Sequence, residues 1–276
     1  MVLNINNNLL KMKKRIFLMT IAISAMSYVT SCDKAAKKDA PAVEVIEVVE
    51  VVEVAPNTLS EAEIADGWVL LFDGTTSEGW RGYKKDHFPA AWQIADGAIH
   101  MLGSGRGEAG DADGGDIIFD KVFQNFTLSL EWKISEGGNS GIFYLGQEDL
   151  DFIWKTAPEM QILDNEKHPD AKLGTDNNRQ AGSLYDLIPA VPQNAKTVGE
   201  WNKVEIVVYK GTVIHYQNGE KVVEYHLWTP EWNELVAGSK FPGLNPKWAE
   251  VAAKGYIGLQ DHGDDVWFRN IKIKEQ

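Results

Sequence analysis

The chain reads as an all-β protein, a single-domain antiparallel sandwich of two curved sheets interrupted by a few short helices. Three observations predict this. Phe126–Ile134 alternates strictly, with Phe126, Leu128, Leu130, Trp132 and Ile134 on one face and Thr127, Ser129, Glu131 and Lys133 on the other. Asp96-Gly97 and Asn218-Gly219 stand between β-favouring runs as tight hairpin turns. No fixed-period repeat occurs, and no helical crossover alternates with the strands.

The chain has 276 residues, is 44% hydrophobic and 10% aromatic, and carries a net charge of −13. That supports a sizeable core. It argues against a nucleic-acid partner, whose phosphates demand a basic surface.

Residues 1–31 read as an export signal. Lys11, Lys13, Lys14 and Arg15 precede an apolar run, Ile16–Met26, that is short for a membrane span. Val29-Thr30-Ser31-Cys32 follows and resembles a bacterial lipoprotein cleavage site. The resemblance implies a lipidated Cys32 and a place in the bacterial cell envelope, in the periplasm or on the outer-membrane surface. Cys32 is the only cysteine, so the fold is expected to hold without a disulfide. Residues 32–60 read as an acidic flexible tether in which valines alternate with glutamates between Pro41 and Pro56.

The sandwich is expected over 61–276. Trp68–Phe72 reads as a strand ending at Asp73-Gly74, and Trp92–Ile94 pairs with Ala98–Leu102 in a hairpin. A glycine- and aspartate-rich loop, 103–115, carries Asp111, Asp113 and Asp116 at spacings that miss the offsets of a calcium loop. Ile142–Leu145, Val204–Tyr209 and the hairpin Val213–Tyr225 continue the sheets. Thr229-Pro230 and Asn245-Pro246 predict helices over Glu231–Val236 and Lys247–Ala253. The last strands are Tyr256–Gln260 and Val266–Ile273. The apolar phase of the latter slips between Phe268 and Ile271, predicting a bulge at Arg269-Asn270.

The functional signal centres on Pro158–His168. In a strand, Met160 and Ile162 face a core while Glu159 and Gln161 share the opposite face, with Asp164 and His168 just beyond. A carboxylate beside a carboxamide on an open face suits a polyhydroxylated ligand; a solvated outer face is the rival reading. His168 before Pro169 is a metal-ligand candidate without a second histidine at ligand spacing. His215 and His226 lie on hairpin strands and read as structural.

From Gly67 onward the chain resembles the bacterial 3-keto-disaccharide hydrolase domain family. The residues that carry this are G-W-V-L-L-F-D-G (67–74), G-G-N-S-G-I-F (137–143), E-M-Q-I-L-D-N (159–165), G-S-L-Y-D-L (182–187), H-Y-Q-N-G (215–219) and L-Q-D-H-G (259–263). The resemblance implies a concanavalin A-like jelly-roll whose concave face holds a sugar, and cleavage of glycosides already oxidised at C3. Such chemistry needs a base for the C2 proton, an electrophile for the enolate oxygen and an acid for the leaving oxygen. The candidates are Glu159 and His262 as base and acid, Arg269 or a divalent metal as the ketone polariser, and Asn139, Gln161, Asp164, Tyr185 and Gln260 as substrate-binding residues, with a tryptophan stacking on the ring. The expected partners are an oligosaccharide or glycoside substrate and the membrane through Cys32. A noncatalytic carbohydrate-binding module of the same fold is the alternative function, and a structural surface protein a third.

Overall fold

The computed structural model describes residues 55–104 and 113–276. The export segment, Cys32, tether residues 33–54 and Asp111 lie outside the described residues. Thirteen strands there form two antiparallel sheets. The larger has the order β11 (Glu220–His226), β10 (Thr212–Gln217), β9 (Asn202–Tyr209), β6 (Phe126–Ile134), β13 (Val266–Glu275), β4 (Ala98–Met101), β3 (Trp92–Ala95). The smaller has β2 (Trp80–Gly82), β5 (Ile117–Phe123), β12 (Gly255–Leu259), β7 (Asn139–Gly146), β8 (Glu159–Leu163). This is the concanavalin A-like sandwich that the sequence predicts.

The local reasons hold where they were read. Asp96 and Gly97, and again Asn218 and Gly219, take the positive φ angles of tight hairpin turns. All five apolar residues of the 126–134 face are buried in the core between the sheets. The register of β13 against β6 shifts between Arg269 and Lys272, and Asn270 takes φ 54°, which is the expected bulge. The bulge lets one strand serve two neighbours. Val266–Phe268 pair with β4, whereas Lys272 and Ile273 pair with β1 (Val69–Leu70). Asn57 pins it: Asn270 N donates to Asn57 Oδ1 at 2.8 Å and Asn57 N donates to Asn270 Oδ1 at 2.6 Å. Sandwich contacts therefore reach back past residue 61. A first helix, α1 (Glu61–Ala65), follows with a capping box between Ser60 and Glu63.

Beyond α1, the structure adds β2, β5 and a one-turn helix at Phe241–Leu244, and one expected helix is missing. β5 was not legible because Ile117 and Ile118 point to opposite faces and both are fully buried, so no alternation is visible. The helix expected over Lys247–Ala253 is replaced by turns. Asn245 does cap, its Oδ1 accepting from Lys247 N. One carbonyl that a helix would use, Ala249 O, accepts from Trp232 Nε1 instead, and Val251 O accepts from Trp228 Nε1. The helices there are α2 (Pro230–Ala237), capped by Thr229, and the one-turn α3 (Phe241–Leu244).

The smaller sheet is covered on both faces, and this creates the site. Its inner face packs Ile142, Tyr144, Met160 and Ile162 into the core. Its outer face carries a second apolar cluster of Tyr83, Ile118, Phe143, Ile153 and Ala157. β7 and β8 are consequently buried along their whole length, polar residues included.

Candidate active site

The floor is built by strand register. Gly141 on β7 lies opposite Gln161 on β8, and on its other side Gln260 N donates to Gly141 O at 3.0 Å. A row Gln260–Gly141–Gln161 therefore crosses three strands. Glu159 starts one row away, opposite Phe143. Its carboxylate leans over Gly141: a Cβ on that glycine would lie 2.1 Å from Glu159 Oε1. Gln161, with its amide turned to satisfy its surroundings, donates to Ser140 O at 2.9 Å and to Glu159 Oε1 at 3.1 Å. Asn139 occupies the row beyond. Asp264 Oδ2 accepts from Asn139 N at 3.0 Å and lies 4.0 Å from His262 Nδ1, so the imidazole stands at the Asn139 end.

The other end is Tyr185. Its N donates to Glu159 O at 3.0 Å, because residues 182–188 run along the free edge of β8. The Tyr185 hydroxyl donates to Asp170 Oδ2 at 2.9 Å and accepts from Lys240 Nζ at 3.1 Å. Burial, then the charges of Glu159 and Asp170, hold the phenol proton on well above the usual tyrosine range. The Lys240 side chain is 39% exposed, but its ammonium tucks 4.3 Å over the Tyr185 ring. That desolvation lowers it from the ordinary lysine value, while Asp186, Glu159 and Asp170 act against the shift.

The roof comes from two loops joined by tryptophan chemistry. Trp248 Nε1 donates to Trp154 O at 2.9 Å, and Asn245 Nδ2 donates to Lys155 O at 2.8 Å. Phe241 stacks on Trp248 with centroids 4.0 Å apart. Floor and roof enclose a cavity of about 300 Å³ lined by Glu159, Gln161, Asn139, Gln260, His262 and Tyr185, with Lys240, Trp154, Phe241 and Leu244 above. Asn139 Oδ1 and Gln260 Oε1 are buried with no partner among the described residues. Unsatisfied buried amides at a cavity favour a hydroxyl-rich occupant.

Residues 67–274 match the 3-keto-alpha-glucoside-1,2-lyase-like domain. The chain belongs to this family. A 3-keto-disaccharide hydrolase of Bacteroides thetaiotaomicron is 57% identical over 230 residues, covering 76% of this chain and 79% of that protein. Two solved structures from Parabacteroides distasonis, each provisionally described as a glycosyl hydrolase, align with TM-scores of 0.71 and 0.60. Their identities are 29% and 30%, covering 80% and 76% of this chain and 100% and 99% of theirs.

In this 3-keto-alpha-glucoside-1,2-lyase-like domain, Glu159, His262, Asn139, Gln161, Tyr185 and Gln260 line one cavity. Arg269 does not. It sits on β13 of the larger sheet, where it pairs with Glu131 at 2.7 Å and lies 4.0 Å from the Trp201 ring centroid. Pairing of β13 with β6 keeps it in the larger sheet, opposite Glu131 and away from the cavity floor. Asp164 is a second correction. It lines a different hollow, and its carboxylate accepts from Gly137 N, Glu166 N and Lys167 N, so it shapes loops. Lys240 was missed, since a lone lysine before a proline-containing turn carries no sequence signal. His168 acquires partners that spacing could not show: ligand atoms of His168, His262 and Asp264 all lie within 4.8 Å of one another.

Behind the floor, His215 is fully buried. Gly182 O can only accept, so His215 Nδ1 donates to it at 3.1 Å. Its Nε2 then accepts from Tyr144 Oη at 2.8 Å, and Tyr225 Oη donates to Tyr144 at 2.8 Å. Burial pulls His215 from 6.5 down to about 4. The unfolded chain therefore binds this proton more readily than the fold. Stability should fall as pH drops from about 6.5 to about 4, by on the order of 3 kcal/mol from this group. Urea unfolding at several pH values checks it. His215→Gln should flatten that slope, and an unchanged slope would refute the assignment.

Proposed function

We propose that the protein is an exported, lipid-anchored enzyme that cleaves 3-keto-glycosides by elimination and hydration. A C3 ketone acidifies the C2 proton. Glu159 takes that proton, leaving an enolate. The enolate re-forms the ketone as it expels the C1 substituent, whose oxygen receives a proton. Water then adds across the new C1–C2 double bond, with hydroxyl at C1 and hydrogen at C2, so the net change is hydrolysis.

One observation carries the reading. Among the described residues, Glu159 is the single acidic side chain lining the cavity, and its carboxylate lies between the His262 end and the Tyr185–Lys240 end. C2 of the substrate likewise lies between C3 and C1. The imidazole end meets the keto oxygen, and the Lys240 ammonium serves the leaving oxygen. The Tyr185 proton is committed to Asp170, so its role is to hold Lys240. Direct hydrolysis would call for two carboxyls flanking the bond. Trp154 supplies the ring-stacking face. The relative's name, 3-keto-disaccharide hydrolase, supports the same substrate class.

The test is cleavage of a 3-keto-glucoside in D₂O, with an enzyme-free control. Deuterium at C2 of the released sugar is expected. Cleavage without it would mean direct hydrolysis, and binding without cleavage would mean a carbohydrate-binding module. The anchoring part rests on Lys11–Arg15, the apolar run and Cys32. The mass of the N-terminal peptide from membranes checks it: a lipid on Cys32 is expected, and an unmodified Cys32 would refute it.

A further inference from the structure

We propose that His168, His262 and Asp264 form a divalent-cation site at the edge of the cavity, whose open positions take the C3 keto oxygen and an adjacent hydroxyl of the substrate. The substrate part rests on the function proposed above; the metal part does not.

The three donors arrive from separate places. His168 caps a 3-10 turn after β8, and His262 and Asp264 lie in the loop between β12 and β13. Their ligand atoms nevertheless fall within 4.8 Å of one another. Ligands about 2.1 Å from a zinc-like ion stand roughly 3–4 Å apart, so the side chains close by about an ångström on binding. Two imidazoles and one carboxylate make a borderline donor set suited to zinc, cobalt or manganese, and three protein ligands leave positions for substrate. The supporting shell is present. Asn139 N donates to Asp264 Oδ2 at 3.0 Å and orients that carboxylate. The two rings meet edge to face, with centroids 5.9 Å apart at 82°, so neither covers the other's nitrogens by stacking.

One contact must yield. Asp170 N donates to His168 Nδ1 at 3.1 Å, which leaves the proton on Nε2. Rotation of the ring gives up that single peptide hydrogen bond, a small loss beside a metal–nitrogen bond. Placement then assigns the ligand chemistry. His262 and Asn139 both line the sugar cavity, so the ion's open side faces it. A 3-keto sugar offers a carbonyl oxygen with a hydroxyl on the next carbon, a pair that closes a five-membered chelate ring. An unoxidised sugar offers only alcohols, which are weaker ligands. The site would therefore select the keto form and polarise the carbonyl next to C2.

The experiment uses the full chain, stripped with a chelator, dialysed and titrated with Co²⁺. Visible absorption and elemental analysis are the readouts, with circular dichroism as the folding check. One equivalent per chain is expected, with binding at least 10-fold weaker in folded His168→Ala and Asp264→Asn. No binding by the unaltered chain, or binding by both folded variants as tight as by the unaltered chain, overturns the site. Should either variant unfold, competition of imidazole and of a 3-keto-glucoside for Co²⁺ on the unaltered chain decides: an unchanged spectrum with both overturns it. The two proposals fail separately. Full-rate cleavage by metal-free protein removes the metal's part in the reaction and leaves the enzyme. Stoichiometric Co²⁺ binding without any action on 3-keto-glucosides leaves the metal and removes the enzyme.

Discussion

Glu159→Gln is expected to lower kcat/KM on a 3-keto-glucoside by about 10²- to 10⁴-fold, the usual range for a positioned general base. The substitution keeps shape and one acceptor oxygen, so Gln161 retains its partner and the melting temperature should change little. The loss should fall on kcat, because a base acts on the C2 proton in the transition state and contributes little to ground-state binding. C2 deuterium incorporation should fall by the same factor as cleavage. Cleavage and exchange at the unaltered rate in the purified variant would remove Glu159 from the reaction.

Gly141→Ala should have the next largest effect, roughly 10²-fold in kcat, although it alters no polar group. The added methyl would fall 2.1 Å from Glu159 Oε1 and 2.7 Å from its Cδ. Two atoms cannot share that space, so the carboxylate is pushed off the position between His262 and Lys240. The backbone itself tolerates alanine, because Gly141 is not among the glycines with positive φ. Gly238→Ala is the control, since its new methyl would meet only carbonyl oxygens at 3.6 Å. Steady-state kinetics on the two variants, with thermal melts, separates displacement of Glu159 from a general cost of losing glycine. Equal activity in both would mean that the carboxylate is not needed where it lies.

Both predictions depend on a glycine and a glutamate meeting across neighbouring strands, which marks the limit of sequence reading. The alternation E-M-Q-I-L was enough to put Glu159 and Gln161 together on one face. It could not tell a solvated face from a roofed one, because the roof is made by residues 153–155 and 241–248, far along the chain. The same limit explains Arg269. Its strand and its bulge were legible, yet sheet membership is set by pairing with β6 and β4, and that pairing sends it to Glu131. The helix expected after Asn245-Pro246 had a sound cap. In its place Trp232 Nε1 takes the Ala249 carbonyl that the helix would need.

Local rules read over two to nine residues are therefore sufficient for most of the strands, the hairpin turns, the bulge and the placing of Glu159 beside Gln161 on one face, because side-chain alternation and positive-φ turns are properties of adjacent residues. Which groups oppose Glu159 is a different matter. Lys240 reaches it through a tryptophan-held loop, and His168 meets His262 across 94 positions of chain. Such meetings follow from how two sheets pack and what closes over them. Long-range burial decides that, and no short window of residues encodes it.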